Sequence, residues 1–302
     1  MRKEGITVPI MVMNPQEQSF ENMIQYHLEP EIYSFKLLSR FSEAVKQVVR
    51  QGEINSFPVH IKLDTGMHRL GFAEEEVSEL IVRLKNNKHL KIESIFSHLA
   101  ASDEPEHDGF TNQQYNSFVK MSDEITSHFS YEILKHILNS GGIIRFPEMQ
   151  MDMVRLGIGL HGIAPTASEQ RQLLNVATLK TTVSQLKSIK KGDSIGYSRR
   201  GIAKKDLQIA VVGIGYADGI NRRMGNGAIK FLLNGKFVPT IGSICMDMCM
   251  LDVTDANVKE GDEVIIFGSD YPITKLAHDI DTIPYEVLCG ISQRVKRVYY
   301  HE

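Results

Sequence analysis

Short apolar runs alternate with helix-like segments between Pro9 and Gly162. A helix that packs on a sheet shows an apolar residue every three or four positions, whereas a strand inside a parallel sheet reads as a short apolar run. Parallel strands need long crossovers between them, so this alternation predicts an α/β domain. The six predicted strands are residues 10–13, 30–35, 59–63, 92–96, 134–138 and 154–160.

Three segments between these runs carry apolar residues at helical spacing, and each such face is expected to pack on the sheet. The residues are Leu37, Phe41, Val45 and Val48 in the first segment, Val77, Leu80, Ile81 and Leu84 in the second, and Tyr115, Phe118, Ile125 and Phe129 in the third.

The pattern changes after about residue 165. Strand-like runs at 209–214, 229–233 and 264–267 are accompanied by turn signals at Gly192 and at Asn234-Gly235. We therefore predict an α/β barrel domain over residues 1–168 and a mostly β domain over residues 169–302. The alternative is one doubly wound domain with a β extension.

Composition restricts the kinds of partner. The net charge is −3, and the basic residues are scattered along the chain, which gives no footprint for nucleic acid or anionic lipid. Three cysteines, an odd number without a CxxC pair, fit reduced thiols in a cytoplasmic protein. No apolar run reaches the roughly 18 residues of a membrane span. We expect a small-molecule substrate, no metal, no nucleic acid and no membrane.

Seven motifs occur along the chain in a characteristic order, and together they resemble alanine racemase. They are HIKLDTGMHRLGF from His60, FSHLAASDE from Phe96, ILNSGGIIRFP from Ile137, MVRLGIGLHG from Met153, IGYSRRG from Ile195, IGYADGINRR from Ile214 and ICMDMCMLDVTD from Ile244. The sequences of these motifs are most similar to those of racemase domains fused behind a cell-wall ligase.

The resemblance implies a (β/α)8 barrel that binds pyridoxal 5'-phosphate (PLP) at its C-terminal mouth, a mostly β C-terminal domain, and a homodimer with shared active sites. It implies interconversion of L-alanine and D-alanine by two bases, supplying D-alanine for cell-wall peptidoglycan. PLP makes the alanine α-proton removable by spreading the resulting charge into its ring.

Three residues match the family's catalytic set. Tyr197 matches the base for the L-enantiomer, which reaches the partner subunit's site, and His98 matches the group that favours the ionised phenol. Arg155 matches the arginine that faces the PLP pyridine nitrogen and leaves it unprotonated.

The resemblance also implies binding residues. Arg69 matches the arginine that reaches the cofactor and the substrate carboxylate, while Met246 and Asp247 match the loop that binds that carboxylate from the other subunit. Lys62 matches a lysine that is carboxylated in many relatives, and either state is open here. The phosphate site is implied at Asn139, Ser140, Gly157 and Ile158, and the entry corridor at Asp103, Tyr216 and Arg222.

Each of these residues also has an ordinary structural interpretation. Tyr197 could be a strand-end tyrosine, Asn139 a turn residue and Asp103 an exposed loop aspartate. A run rich in Met and Cys is most often core. The register of the neighbouring motifs favours the functional interpretation.

The sequence departs from the family pattern at three places. No segment resembles AVVKANAYGHG, which in the family carries the lysine that holds PLP. We therefore expect an incomplete barrel of about six strands, inactive alone, with the lysine upstream of Met1 in a longer protein. Gln293 stands where many relatives have a phosphate-binding tyrosine, and Ser243 where many have a corridor arginine.

Two other functions stay open. The chain could be an inert fragment or scaffold that binds PLP without chemistry. It could also be a fold-related PLP decarboxylase of amino acids, although the glycine-rich phosphate motif of those enzymes is absent. Serine is the alternative substrate, because one added hydroxyl is hard for a small pocket to reject.

Overall fold

The computed structural model describes residues 1–49, 56–164 and 166–300. Tertiary contacts divide the chain into two compact units. The first comprises Met1–Gly157 and Ala164–Glu169, and the second comprises Ile158–Ile163 and Gln170–Glu302. Among the described residues, no helix combines the length and apolar character needed to span a membrane.

The first unit is built on a parallel sheet whose strands follow chain order. Its strands are β1 (Met11–Val12), β2 (Glu29–Ile32), β3 (Phe57–Lys62), β4 (Leu90–Phe96) and β5 (Leu134–His136). Its α-helices are α1 (Phe20–Gln25), α2 (Phe35–Val49), α3 (Val77–Lys85), α4 (Asp108–Thr126) and α5 (Ser140–Arg145). Its 3-10 helices are Arg2–Glu4, Glu17–Ser19, Glu74–Glu76, Pro105–His107 and Pro147–Met149.

The predicted helix faces lie in the core of this unit. On α2, Phe41 is fully buried and packs edge-on against Phe57 of β3, with ring centroids 5.5 Å apart. On α3, Val77 and Leu80 are also buried. The third face lies on α4, where Phe118 is buried, although α4 ends before Phe129. The α/β prediction for this part of the chain is confirmed.

The strand predicted at residues 154–160 is wrong. The N–H of Arg155 donates to the carbonyl of Leu138, and just before the segment the N–H of Asp152 donates to the carbonyl of Lys135 in β5, but no continuous ladder forms. Gly157 and Gly159 lower the strand propensity of the segment, and a 3-10 helix begins at Ile158. The described part of this sheet therefore has five strands where six were predicted.

The strands of the second unit are β6 (Leu179–Ile189), β7 (Ser194–Ile195), β8 (Gly201–Ile202), β9 (Leu207–Val212), β10 (Lys230–Leu233), β11 (Lys236–Ile241), β12 (Cys249–Asp252) and β13 (Glu263–Phe267). Six of them form a closed antiparallel barrel in the order β10-β11-β12-β9-β6-β13. The helix α6 (Ala167–Gln170) precedes these strands in the chain, and its first three residues belong to the first unit. The helices α7 (Ile273–Asp279) and α8 (Pro284–Gly290) follow the strands. The 3-10 helices are Ile158–His161, Tyr197–Arg199, Tyr216–Asp218 and Arg222–Met224.

The mostly β prediction for this part of the chain is confirmed. Asn234 and Gly235 have φ values of 47° and 75° and join β10 to β11 as a two-residue hairpin, as their sequence predicts. Closure pairs both edges of the sheet, so no barrel edge is left open. The separate pair β7 and β8 forms a small hairpin that carries Tyr197 at its tip.

Candidate active site

The carboxyl ends of the parallel strands meet around one buried aromatic ring. Lys62, Phe96 and His136 are the last residues of β3, β4 and β5, and the strand register sets them side by side. The imidazole of His136 stacks on the Phe96 ring with centroids 5.0 Å apart. The Lys62 ammonium and the Arg155 guanidinium lie 5.5 Å and 5.2 Å from the same centroid. The end of this sheet is therefore both apolar and cationic.

Lys62 forms a buried ion pair with Glu31 of β2. Its Nζ lies 2.8 Å from Oε1 of Glu31. The other carboxylate oxygen accepts a hydrogen bond from the backbone N–H of Asn14. Glu31 was not singled out from the sequence, since its approach to Lys62 depends on the register between two strands.

The loop that carries Arg69 begins and ends next to Lys62. The N–H of Phe72 donates to the carbonyl of Lys62 and the N–H of Asp64 donates to the carbonyl of Phe72, each at 2.9 Å. Gly71 makes this closure possible, because it has a φ of 133° and a Cβ there would lie 2.5 Å from the backbone nitrogen of Asp64. Arg69 itself is exposed on this tight loop.

Arg155 is held by the ends of two strands. One terminal nitrogen, Nη2, donates to the carbonyls of Ser97 and Ile137 at 2.5 and 3.1 Å. The other, Nη1, donates to the carbonyl of His136 at 3.2 Å and to the Nδ1 of that residue. Burial lowers the pKa of Arg155 to about 10, so the guanidinium stays charged at neutral pH. No carboxylate pairs with it among the described residues.

His98 lies next to this guanidinium, with Nδ1 3.5 Å from the Nη2 of Arg155. Burial and, after it, the charges of Arg155, Arg69 and Lys62 lower the pKa of His98 to about 4. At neutral pH its imidazole is therefore uncharged and offers one donor and one acceptor.

Asn139 and Ser140 form the start of α5. The Asn139 side chain caps this helix, because its Oδ1 accepts from the N–H of Gly142 at 2.9 Å and from the hydroxyl of Ser102 at 2.7 Å. The hydroxyl of Ser140 accepts from the N–H of Gly157 at 2.8 Å. These contacts bring the predicted phosphate residues of the first unit together. Ile158 lies in the second unit.

Asp103 is exposed in the loop before α4. This loop is fastened to α5 by Arg145, which donates to the carbonyl of Ser102 at 2.9 Å and pairs with both oxygens of Asp108 at 2.8 and 3.0 Å. A Cβ on Gly141 would lie 3.4 Å from the Cα of Asp103, so a small residue lets the loop approach the helix.

In the second unit, Tyr197 is displayed to solvent with 71% of its side chain exposed. It follows Gly196, and the next two residues, Ser198 and Arg199, have φ values of 56° and 51°. Non-glycine residues adopt this left-handed conformation at a cost, and such strain concentrates at functional sites. An ordinary core tyrosine would be buried, so exposure on a strained turn favours a functional interpretation.

Met246 and Asp247 lie exposed at the tip of the turn between β11 and β12, which is closed by the N–H of Cys245 donating to the carbonyl of Met248. Tyr216 is fastened to the same turn through its N–H, which donates to the carbonyl of Cys245 at 3.0 Å. Two motifs that are far apart in the sequence, GYADG and ICMDM, are thus brought together. Arg222 is exposed on a neighbouring 3-10 helix.

The sequence did not reveal a second ion pair that fixes this arrangement. Asp218 caps the N–H of Gly215 at 2.8 Å, and its oxygens accept from the Nε and Nη2 of Arg294 at 2.6 and 3.1 Å. The hydrogen bond from Arg294 holds the pKa of Asp218 below its usual range. The GYADG aspartate was visible in the sequence, but its partner lies 76 residues away.

The predicted residues therefore fall into two sets. The first unit places the buried Lys62, the half-buried Arg155 and a neutral imidazole at one end of a parallel sheet, which suits an anionic, ring-containing ligand. The second unit displays a tyrosine and a backbone turn on its surface.

Comparisons with known proteins agree across both units. Residues 1–165 match the family model "Alanine racemase, N-terminal domain", and residues 176–299 match "Alanine racemase, C-terminal domain". The alanine racemase of Clostridium tetani is 36% identical over 312 residues, which cover 100% of this chain and 79% of the relative. That of Methanococcus maripaludis is 34% identical and covers 100% of this chain and 81% of the relative.

Solved structures show the same likeness. The alanine racemase of Clostridium difficile 630 matches with a TM-score of 0.89 at 34% identity, over 99% of this chain and 78% of that chain. The alanine racemase of Bartonella henselae, crystallised with covalently bound pyridoxal phosphate, matches with a TM-score of 0.87 at 29% identity, over 99% of this chain and 81% of that chain. From its motifs, its fold and these relatives, the chain belongs to the alanine racemase family.

Proposed function

We propose that this protein interconverts L-alanine and D-alanine with pyridoxal 5'-phosphate and so supplies D-alanine for cell-wall peptidoglycan. The observation that carries the proposal is Arg155, a charged guanidinium at the mouth of a parallel sheet with no carboxylate partner among the described residues. The Bartonella henselae relative binds PLP covalently. When bound, PLP disperses the charge that remains after an amino acid loses its α-proton.

The residues of the first unit fit this cofactor. A guanidinium is a donor that keeps its proton, so Arg155 is suited to face an unprotonated pyridine nitrogen. We assign the phosphate to Asn139, Ser140 and Gly157, where small residues and a helix start allow backbone approach. In the structure the Asn139 side chain already caps α5, so its contribution to the phosphate site is the helix start that it organises.

Arg69 and Lys62 add positive charge at the same end of the sheet. Arg69 lies on a loop tied to Lys62, and its planar fork suits a carboxylate. We assign Arg69 to the substrate carboxylate and the cofactor. Lys62 supports the loop that holds Arg69.

Proton transfer is assigned to Tyr197 and His98. A phenol with a pKa of about 10 is a weak base at neutral pH, so it needs a neighbour that favours its ionised form. The neutral imidazole of His98 can donate a hydrogen bond to a phenolate. Tyr197 then removes or returns the α-proton on one face of the substrate.

The exposure of Tyr197 and Met246 on the second unit favours a homodimer in which each active site uses both copies. Tyr197 and Met246 have 71% and 56% of their side chains exposed, although both are apolar in large part. We propose that these residues, with Asp247, enter the site of the other copy, where the Met246 turn binds the substrate carboxylate. Asp103, Tyr216 and Arg222 are assigned to the entry corridor.

Several finer points belong to the same proposal. We place the barrel domain at residues 1–168 and the β domain at 169–302, in a cytoplasmic protein. No segment of the 302 residues resembles AVVKANAYGHG. We therefore propose that racemisation requires a lysine-bearing segment in the same polypeptide, and that the 302-residue chain is inactive without one.

The test compares the 302-residue chain with the same chain joined to a lysine-bearing segment. Each form is loaded with PLP and assayed for conversion of L- to D-alanine, with L-serine as the competing substrate. We expect conversion of alanine by the extended form alone. A folded, PLP-loaded extended form that converts neither amino acid would overturn the proposal in favour of a PLP-binding scaffold. Borohydride reduction followed by peptide mapping then shows whether PLP occupies one defined lysine.

A further inference from the structure

Five side chains form one continuous run of hydrogen bonds across the parallel sheet of the first unit, and the mechanism above uses only the last of them. Oε2 of Glu29 lies 2.8 Å from Nε2 of His60, whose Nδ1 lies 2.7 Å from the hydroxyl of Ser94. That hydroxyl lies 2.9 Å from Nε2 of His136, and Nδ1 of His136 accepts from Arg155. We call this set the cross-sheet chain.

The strands account for the continuity of the cross-sheet chain. Glu29, His60, Ser94 and His136 lie on β2, β3, β4 and β5, so each strand of the run contributes one member. His60, Ser94 and His136 are buried, with 6%, 0% and 0% exposed. Buried polar groups are stable only when they are paired, so this run is a built feature of the core.

Chemistry fixes the direction in which the hydrogens point. A guanidinium can only donate, so Nδ1 of His136 must accept, and its proton lies on Nε2. That N–H donates to Ser94, whose own proton then goes to Nδ1 of His60. The remaining N–H of His60 donates to Glu29. With a donor at one end and a carboxyl acceptor at the other, each neutral imidazole of this run has a single tautomer, with its proton on Nε2.

We propose that Glu29, His60 and Ser94 are positioning residues, which act through His136 to orient the Arg155 guanidinium toward the cofactor ring. The proposal rests on the proposed function, because it assigns these residues to the PLP site. Arg155 keeps its proton, so the cross-sheet chain does not deliver protons to the site. The cross-sheet chain instead holds Nδ1 of His136 in place, and this acceptor orients the Arg155 guanidinium.

Ser94 is the member of the cross-sheet chain whose substitution interrupts the hydrogen bonds with the smallest structural change. Ser94→Ala removes one oxygen and leaves a nitrogen of each imidazole without its partner. The His136 ring is then held only by the guanidinium at Nδ1, and its Nε2–H has lost the acceptor that fixes the other side of the ring. Ser94→Thr keeps a hydroxyl at the same position and is the conservative variant. Ser122→Ala is the matched control, since Ser122 is a fully buried serine of α4 whose hydroxyl donates to a backbone carbonyl outside this run.

The first measurement uses the 302-residue chain without cofactor. Nitrogen NMR of the histidine side chains reports which ring nitrogen of His136 and His60 carries the proton. We expect Nε2–H for both residues in the parent, in Ser94→Thr and in Ser122→Ala. In Ser94→Ala we expect the Nε2–H signal of His136 to shift and to exchange faster with solvent, because its acceptor has been removed. A parent with Nδ1–H on His136, or an unchanged His136 Nε2–H signal in Ser94→Ala, would overturn the proposal.

The second measurement uses the form joined to a lysine-bearing segment and follows the absorption spectrum and affinity of PLP titrated into each variant of that form. We expect Ser94→Ala to shift the absorption band and weaken PLP binding by about 10-fold, by analogy with the lower end of the loss seen when partners that orient metal-binding side chains are removed. Ser94→Thr and Ser122→Ala should match the parent. A Ser94→Ala variant with the parent's spectrum and affinity would also overturn the proposal. Failure of the parent to bind PLP would count against the proposed function, and the tautomer measurement would still decide the orientation of the cross-sheet chain.

Discussion

The ammonium of Lys62 lies 2.8 Å from a carboxylate oxygen of Glu31, and the two side chains are only 5% and 1% exposed. This contact bears on whether Lys62 becomes carboxylated. Carboxylation would convert the cation into an anion, and two carboxylates would then face each other in a buried place. Like charges at that distance repel strongly. We therefore predict that Lys62 of this protein stays an unmodified lysine.

The carbon NMR spectrum of the protein in labelled bicarbonate checks this prediction. We expect no lysine carbamate signal above the background given by Lys62→Arg, which cannot form one. Glu31→Gln should show the signal, because the competing negative charge has been removed. A carbamate on Lys62 in the parent would contradict the prediction directly.

The cations around His98 and His136 make the stability of the first unit sensitive to acid. Burial and Arg155 lower the pKa of His98 to about 4 and that of His136 to about 3, from an ordinary value of 6.5. Because the unfolded state then binds protons more readily than the folded state, stability falls as the pH drops below about 6.5 and is lost progressively down to each folded-state pKa. Above about pH 6.5 this contribution is fully present.

Chemical denaturation at pH 7.5, 5.5 and 4.5 measures the size of this effect. We expect the parent to lose on the order of 3 kcal/mol more than His98→Gln over this range, since one pKa unit corresponds to about 1.4 kcal/mol. Both proteins also lose stability as their carboxylates become protonated in acid, and taking the difference between them removes this shared loss. If the free energies of unfolding of the two proteins fell in parallel with pH, the pKa of His98 would not be lowered in the folded protein.

Local patterns made part of this site visible in the sequence. The predicted strand 92–96 ends where β4 ends, and the predicted strand 59–63 ends one residue after β3; the GYSRRG turn carries the exposed Tyr197. These features depend on residues close together in the chain, which is the range over which periodicity and turn signals operate.

Pairings between distant segments could not be predicted from the sequence. The pairing of Lys62 with Glu31 depends on the register between two strands. The pairing of Asp218 with Arg294 joins residues that are 76 positions apart. The barrel order β10-β11-β12-β9-β6-β13 likewise joins strands that are far apart in the chain. The segment at 154–160 looked like a strand because it is apolar, but its two glycines lower its strand propensity, and a 3-10 helix begins at Ile158.

Tyr197 should affect proton transfer far more than cofactor binding. We predict that Tyr197→Phe, in the form that carries a lysine-bearing segment, lowers L-alanine turnover by about 100-fold or more, the usual effect of losing a general base. The dissociation constant of PLP should change little, because Tyr197 is exposed on the second unit. Tyr285→Phe is the matched control, an exposed tyrosine of α8 outside the assigned site. Equal losses of turnover and PLP affinity in Tyr197→Phe would mean that the residue is structural.

Gly215 allows the GYADG turn to lie directly on the turn that carries Met246. A Cβ at Gly215 would lie 2.4 Å from the carbonyl oxygen of Cys245 and 2.5 Å from that of Met246, both rigid backbone atoms. We predict that Gly215→Ala destabilises the protein by about 2 kcal/mol or more, because backbone must move to relieve the overlap. Gly213→Ala is the matched control, since its nearest neighbour would be the Ser184 hydroxyl at 3.6 Å.

The same substitution should separate the two turns. The N–H groups of Tyr216 and Ala217 donate to the carbonyls of Cys245 and Met246 at 3.0 and 2.8 Å, and these bonds span the contact that the alanine would open. We expect faster hydrogen exchange at both amides in Gly215→Ala and unchanged exchange in Gly213→Ala. Slow exchange together with parent-like stability in Gly215→Ala would show that the turns tolerate a side chain between them, and that their separation is not set by the glycine.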